Sequence, residues 1–163
     1  MTGTIVRTES RERQPPHRGR RSSDEIQDEV GLALRAVDDP DALCRHRLAR
    51  EAYVVAIAER RYGRVTRLTR GCALRDLLKE CLNRIADNSN SAFGDFARAY
   101  AEQTPIARIA RQLDMSRPYL SRVYRPRLTA MVTDELLVEM RRHDLLSTSR
   151  TCVDESKDKR LVR

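Results

Sequence analysis

The sequence has no tryptophan, and aromatic residues make up only 4% of its 163 positions. It has no apolar run near the ~18–20 residues that a membrane-spanning helix needs, and Met1–Arg21 lacks the apolar core of a secretory signal. The four cysteines form no CxxC pair and the three histidines are scattered. We therefore expect a cytoplasmic protein with reduced thiols, no metal or other cofactor and no membrane partner.

Signs of catalysis are also missing. The sequence shows no Gly-rich phosphate loop, no internal repeat, and no spacing of Ser, His, Cys and Asp that predicts a nucleophilic site. Its acidic clusters are spaced for helix surfaces and helix caps: Asp24/Glu25, Asp28/Glu29 and Asp38/Asp39/Asp41. We therefore predict that the protein is not an enzyme; a small nuclease or recombinase that carries an accessory DNA-binding motif is the third class of function.

What the sequence does have is positive charge, with a net charge of +8 and a pI of about 9.8. Such a balance favours a polyanionic partner. The segment 104–127 contains six arginines and one aspartate, whereas the flanking segments 72–103 and 128–146 have a small excess of acidic residues. Apart from the two ends of the chain and the short stretch 64–71, the positive charge is therefore concentrated in one segment.

Apolar periodicity predicts an all-α fold, a helical bundle containing a helix-turn-helix. The predicted units are a disordered basic arm over 1–23, a helical hairpin over 24–63, a basic linker over 64–71, a DNA-binding domain over 72–146 and a flexible tail over 147–163. In the hairpin, Asp38-Asp39-Pro40 ends a first helix, Asp41 caps a second one that reaches about Tyr62, and Gly63 ends it.

The clearest amphipathic helix follows Gly71, with an apolar stripe at the i, i+3, i+4 spacing from Leu74 to Ile85. The turn cluster 88–91 separates it from a helix over 91–103 that buries Phe93, Phe96 and Tyr100.

The helix-turn-helix is predicted between Thr104 and Arg127. Thr104-Pro105 begins its first helix, which buries Ile106, Ile109, Ala110 and Leu113. Asp114 occupies the turn, where the backbone needs a residue that tolerates a positive φ. Ser116 caps the second helix, Pro118 is tolerated in its first turn, and Leu120 and Val123 are its predicted buried side.

The outward residues of the second helix suit the major groove of DNA, because arginine can bind both acceptors on a guanine edge. Polar side chains at its N-terminus, and arginines of the first helix, suit phosphate contacts. The candidate DNA-binding residues are Arg108, Arg111, Ser116, Arg117, Pro118, Tyr119, Ser121, Arg122, Arg125 and Arg127.

Pro126 is expected to interrupt the second helix, and apolar residues then continue on one face from Leu128 to about Arg142. Two roles remain open for 128–142: completing the core, or forming a homodimer interface. The hairpin over 24–62 has the same ambiguity, since it can form a separate partner-binding unit.

The stretch from Leu78 to Val132, about a third of the chain, resembles the fourth conserved region of bacterial sigma factors and the related helix-turn-helix of response regulators. The resemblance rests on the two preceding helices and on Ile109-Ala110-Arg111-Gln112-Leu113-Asp114-Met115-Ser116, which has the form Ile-Ala-x-x-Leu-x-x-Ser. It implies that Ser116, Arg117, Ser121 and Arg122 read a promoter element and that RNA polymerase is a partner.

Two departures accompany the resemblance. Asp114 stands where glycine is usual, and the residues before 72 lack the aromatic-rich region that melts promoters. The predicted function is a sequence-specific transcription regulator or sigma-like factor, associated with the nucleoid, that binds double-stranded DNA. The alternative is a protein-interaction module that binds RNA polymerase or another transcription protein through the same helices.

Overall fold

The computed structural model describes residues 22–89 and 91–158, with side chains as far as Asp144. Its elements in chain order are α1 (Ser23–Arg35), α2 (Pro40–Leu43), a 3-10 turn (Arg47–Arg50), α3 (Ala52–Tyr62), α4 (Arg67–Asn88), α5 (Ala92–Ala101), α6 (Ile106–Gln112), α7 (Arg117–Tyr119), a π-helical segment (Leu120–Tyr124) and α8 (Arg125–Asp158). The described residues contain no strand, so the predicted all-α class is confirmed.

Helix α4 is the centre of the fold and carries the predicted apolar stripe. It packs against α2, α3, α5 and α8, and its buried residues include Leu74, Leu78, Cys81 and Leu82. Together with residues of the other helices, from Val30 to Leu136, these side chains form one hydrophobic cluster. The predicted hairpin and the predicted DNA-binding domain therefore share a single core.

The predicted basic linker over 64–71 is wrong for most of its length, because α4 already begins at Arg67. Thr66 caps the helix: its Oγ1 accepts from the Thr69 backbone N–H, while Thr69 Oγ1 accepts from the Thr66 N–H. Gly71 lies inside the helix, where a Cβ would run into the carbonyl oxygen of Pro40. Tertiary contact with α2 therefore holds this stretch as helix.

The prediction of one continuous helix over 41–62, the second helix of the hairpin, is also wrong. Asp39, rather than Asp41, caps α2 by accepting from the Ala42 N–H at 3.0 Å, and α2 ends after one turn at Leu43. His46 then caps the 3-10 turn, and α3 begins at Ala52. Leu48 and Ala49 of the 3-10 turn between the two helices are buried in the core. Gly63 does end α3, with a φ of 69°.

Helix α8 contributes Leu128, Val132 and Leu136 to the core, so the core role predicted for 128–142 is confirmed for these side chains. Its neighbours are α1, where Gly31 faces Thr129, and α4, where Arg84 forms ion pairs with Glu135 and Glu139. Helix α8 continues to Asp158 through much of the predicted tail over 147–163. The basic arm, apart from its last two residues, and positions 159–163 lie outside the described residues.

Candidate nucleic-acid interface

The first helix of the predicted motif is α6, which lies on α5 through Ile109 and Ala110, 1% and 6% exposed. It begins at Ile106, one residue later than predicted. Pro105 precedes it without a capping side chain, while the Thr104 N–H donates to the carbonyl of Ala99 at 2.9 Å. Of the four residues predicted to be buried in this helix, Ile109 and Ala110 are buried, while Ile106 and Leu113 are half-buried against the core. The small side chain of Ala110 permits a close approach to the neighbouring helix.

The turn between α6 and α7 has the predicted geometry. Asp114 has a φ of 51°, in the left-handed region that the turn was expected to require. The Met115 N–H donates to the carbonyl of Ala110 at 2.9 Å and closes the turn. Ser116 caps α7 by accepting from the Tyr119 N–H at 3.3 Å, and Pro118 occupies the first turn.

The second helix differs from the prediction at two residues. Pro126 does not interrupt it, because the π-helical segment accommodates the missing N–H: the Arg125 N–H donates to the carbonyl of Leu120, five residues earlier. Leu120 is fully buried as predicted, but Val123, predicted to be buried, is 43% exposed. The wider turn of the π segment moves Val123 away from the core face.

The predicted DNA-binding side chains lie together on the surface of α6, α7 and the π segment and at the start of α8. Arg125 is half-buried, and the others are exposed: Arg108, Arg111, Ser116, Arg117, Pro118, Tyr119, Ser121, Arg122 and Arg127. A polar cleft between α6 and the turn is lined by Arg111, Asp114, Ser116 and Arg117 among others. The cleft opens among the candidate residues.

The six arginines of this surface have no acidic partner in the described part of the chain. None of the six between 104 and 127 forms an ion pair with a described residue. Of the fourteen described arginines outside 104–127, six form ion pairs. Examples are Arg61 with Glu80 at 2.6 Å and Arg84 with Glu135 at 3.1 Å. The surface therefore presents guanidinium groups whose charge no described carboxylate neutralises.

An aromatic cluster joins this surface to the core. The ring of Tyr124 meets the rings of Phe93 and Phe96 edge-on, at centroid distances of 5.3 and 5.4 Å, and Tyr119 lies 5.6 Å from Tyr124. Such pairs contribute beyond the area they bury. The sequence pattern identified the α5 rings as buried but not their partner Tyr124, because the π segment shifts the residues that face α5.

Arg127 has a structural contact as well as an exposed side chain. Its guanidinium carbon lies 4.5 Å from the centroid of the Phe93 ring, within the range of a cation–π interaction. Sequence pattern does not predict this contact, since the two residues are 34 positions apart. Arg127 is consequently held against α5 rather than extended freely from the surface.

No group of three or more His, Cys, Asp or Glu side chains that could hold a metal ion occurs among the described residues. Within the same part of the chain, no helix is long and apolar enough to cross a membrane. Comparisons of the sequence and structure with protein-family models, curated proteins and solved structures found no match.

Proposed function

We propose that this protein binds double-stranded DNA through the surface formed by α6, α7 and the π segment. The observation that carries the proposal is the concentration of six arginines on one surface, none of them in an ion pair with a described residue, in a segment whose only acidic residue is Asp114. Guanidinium groups in this state bind phosphate oxygens and base edges without first breaking an internal ion pair.

The two helices of the motif would have different roles. Arg117 and Arg122, exposed on the second helix, suit base edges in the major groove, while Ser116 and Ser121 suit phosphate oxygens. Arg108 and Arg111 of α6 would contact the DNA backbone. Tyr119 and Pro118 would line the contact, and Arg125 and Arg127 would extend it over the first turn of α8.

The resemblance to the fourth region of sigma factors adds a transcriptional role to this proposal. The protein would then act in the cytoplasm at the nucleoid, as a regulator or a sigma-like factor, with RNA polymerase as a second partner. The described residues before α4 form part of the core through Val30, Leu34 and Leu43. This packing favours a scaffold role for them over a promoter-melting one.

Selection of duplex DNA from a random pool, followed by mobility-shift titration, tests the proposal. We expect the variants Arg117→Ala and Arg122→Ala each to weaken binding to the selected site by about 1–3 kcal/mol and to relax the preference at one base pair. Arg60→Ala is the matched control, because Arg60 is an exposed arginine of α3, outside the motif.

The salt dependence of binding provides a second measurement. Affinity should fall steeply with salt, and each phosphate contact removed should reduce the slope of log K against log salt by about 0.9. Unchanged binding in both Arg117→Ala and Arg122→Ala would refute the assignment of the reading helix. A palindromic selected site would indicate a homodimer, and an asymmetric one a monomer.

One observation favours the alternative of a protein-interaction module. Tyr119 and Val123, 46% and 43% exposed, place apolar surface among the arginines of the same helix, a mixture that also occurs in protein interfaces. Capture of purified RNA polymerase without salt-dependent DNA binding would support this second function against the first.

A further inference from the structure

The helix after the turn contains a π-helical segment, and Pro126 explains its position. In a regular α-helix the nitrogen of residue 126 would donate to the carbonyl of Arg122, but proline has no N–H and its ring would clash with that carbonyl. The Arg125 N–H donates instead to the carbonyl of Leu120. The helix thereby gains one residue in this turn before it continues as α8, a change that is frequent at functional sites.

The extra residue rotates the helix surface on its N-terminal side. In a regular α-helix Leu120 and Val123 would share a face, since residues three apart differ by only about 60° around the axis. Here Leu120 is fully buried and Val123 is 43% exposed, while Leu128 is the next fully buried residue. The π segment therefore keeps Leu120 and Leu128 on the core face and turns Val123 outward.

The aromatic cluster holds the segment in this rotation. Tyr124, between Leu120 and Leu128, is half-buried with its ring against Phe93 and Phe96 of α5. A regular helix would turn Tyr124 relative to α5 and break these contacts. The outward position of Val123 is therefore supported by packing in addition to the backbone hydrogen bond.

We propose that Pro126, through the π segment, sets which side chains of the second helix face DNA, and that Val123 thereby reads the methyl group of a thymine. The inference rests on the proposed DNA-binding function. Val123 is an exposed, branched apolar side chain on the same helix as the exposed Arg122, and such a side chain fits the C5-methyl group that thymine alone presents in the major groove. Pro126 is a positioning residue here, and Val123 is the residue that determines specificity.

The outward rotation of position 123 is tested first, without DNA. The rate of maleimide labelling of Val123→Cys in the full chain, followed by site-resolved mass spectrometry, measures how accessible this position is. We expect labelling to slow several-fold when Pro126→Ala is added, because a regular α-helix buries position 123. Pro118→Ala is the matched control: it removes a proline from the first turn, where no helix hydrogen bond is lost, and should leave the labelling rate unchanged. Equal rates with and without Pro126→Ala would overturn the proposal.

The specificity is tested on duplexes that the wild-type protein selects from a random pool. Replacing one thymine by deoxyuridine, which lacks only the methyl group, should weaken wild-type binding and leave Val123→Ala binding unchanged. Pro126→Ala should raise the Kd for the selected duplex by about tenfold or more, which corresponds to the loss of one base-edge contact. The salt dependence of binding to random duplex should be unchanged in this variant.

The outcomes separate this inference from the proposed function. If the wild-type protein binds no duplex at any salt concentration, the proposed function fails, and the role of Val123 fails with it. If it selects a site but tolerates deoxyuridine at every thymine, only the present inference is overturned.

Discussion

Gly71 offers a sharp test of the packing between α2 and α4. A Cβ at this position would run into the Pro40 carbonyl oxygen and lie 2.9 Å from both Cβ and N of Cys44. Two of these three atoms belong to the backbone, the oxygen of Pro40 in α2 and the nitrogen of Cys44 at its C-cap, so a side-chain rotation cannot relieve the overlap. Overpacking of this kind costs about 1–3 kcal/mol, and the better helix propensity of alanine offsets about 1 kcal/mol. We expect Gly71→Ala to lower the free energy of unfolding by up to about 2 kcal/mol.

Gly31 of α1 is the matched control for this substitution. A Cβ there would meet only Thr129 Cγ2 at 3.5 Å, an ordinary van der Waals distance. Gly31→Ala should therefore gain the helix propensity of alanine and raise the free energy of unfolding by up to about 1 kcal/mol. In a chain of this size each kcal/mol changes the Tm by about 2–4 °C.

Urea denaturation followed by circular dichroism measures both variants in one assay. The two substitutions are chemically identical, so their opposite signs would isolate the contact with α2. If Gly71→Ala were as stable as Gly31→Ala, residues 67–71 would not be packed as the structure has them. The linker predicted from sequence would then be the better description.

Two further predictions follow from titratable groups. Burial lowers the pKa of His46 below its ordinary 6.5, and the negative charge of Glu29 only partly opposes this shift. The His46 Nδ1 accepts a hydrogen bond from the Leu48 N–H at 3.3 Å. The unfolded chain therefore binds a proton at His46 more readily than the folded protein does, so the free energy of unfolding should fall as the pH drops below about 6.5. The fall should be smaller in His46→Asn, because asparagine keeps a capping acceptor but does not titrate. Urea denaturation across this pH range measures the difference; equal losses would contradict the assignment. Burial also raises the pKa of Cys81 to about 12, so in native protein iodoacetamide should modify the half-exposed Cys72 well before Cys81. Site-resolved mass spectrometry measures the order, and equal rates would contradict the burial of Cys81.

Features that depend on local chemistry could be predicted closely. The stripe from Leu74 to Ile85 identified α4 as amphipathic, Gly63 marked the end of α3, and Ser116 marked the cap of α7. The positive φ of Asp114 followed from the turn that the motif requires. In each case the hydrogen bonds and side-chain spacing involve residues within about one or two turns of each other.

Features that depend on distant partners could not be predicted. The sequence predicts a linker where α4 begins, at Arg67, because the residues that pack on Gly71 lie some thirty positions earlier in the chain: Pro40 and Cys44. The exposure of Val123 was missed for a related reason. Pro126 is visible in the sequence, but either a helix break or a wider helical turn can accommodate its missing N–H. The packing of Tyr124 on α5 favours the wider turn, which leaves Val123 exposed.

The sequence by itself determined the helical class, the segment 104–127 and its concentration of arginines, because periodicity, caps and charge are properties of neighbouring residues. Only the tertiary structure decided that both halves of the chain share one core and that the six arginines lack ion pairs with described residues. It also decided that Arg127 lies over Phe93 and that Val123 faces outward. These are long-range properties, set by which side chains remain near one another after α1, α4, α5 and α8 have packed.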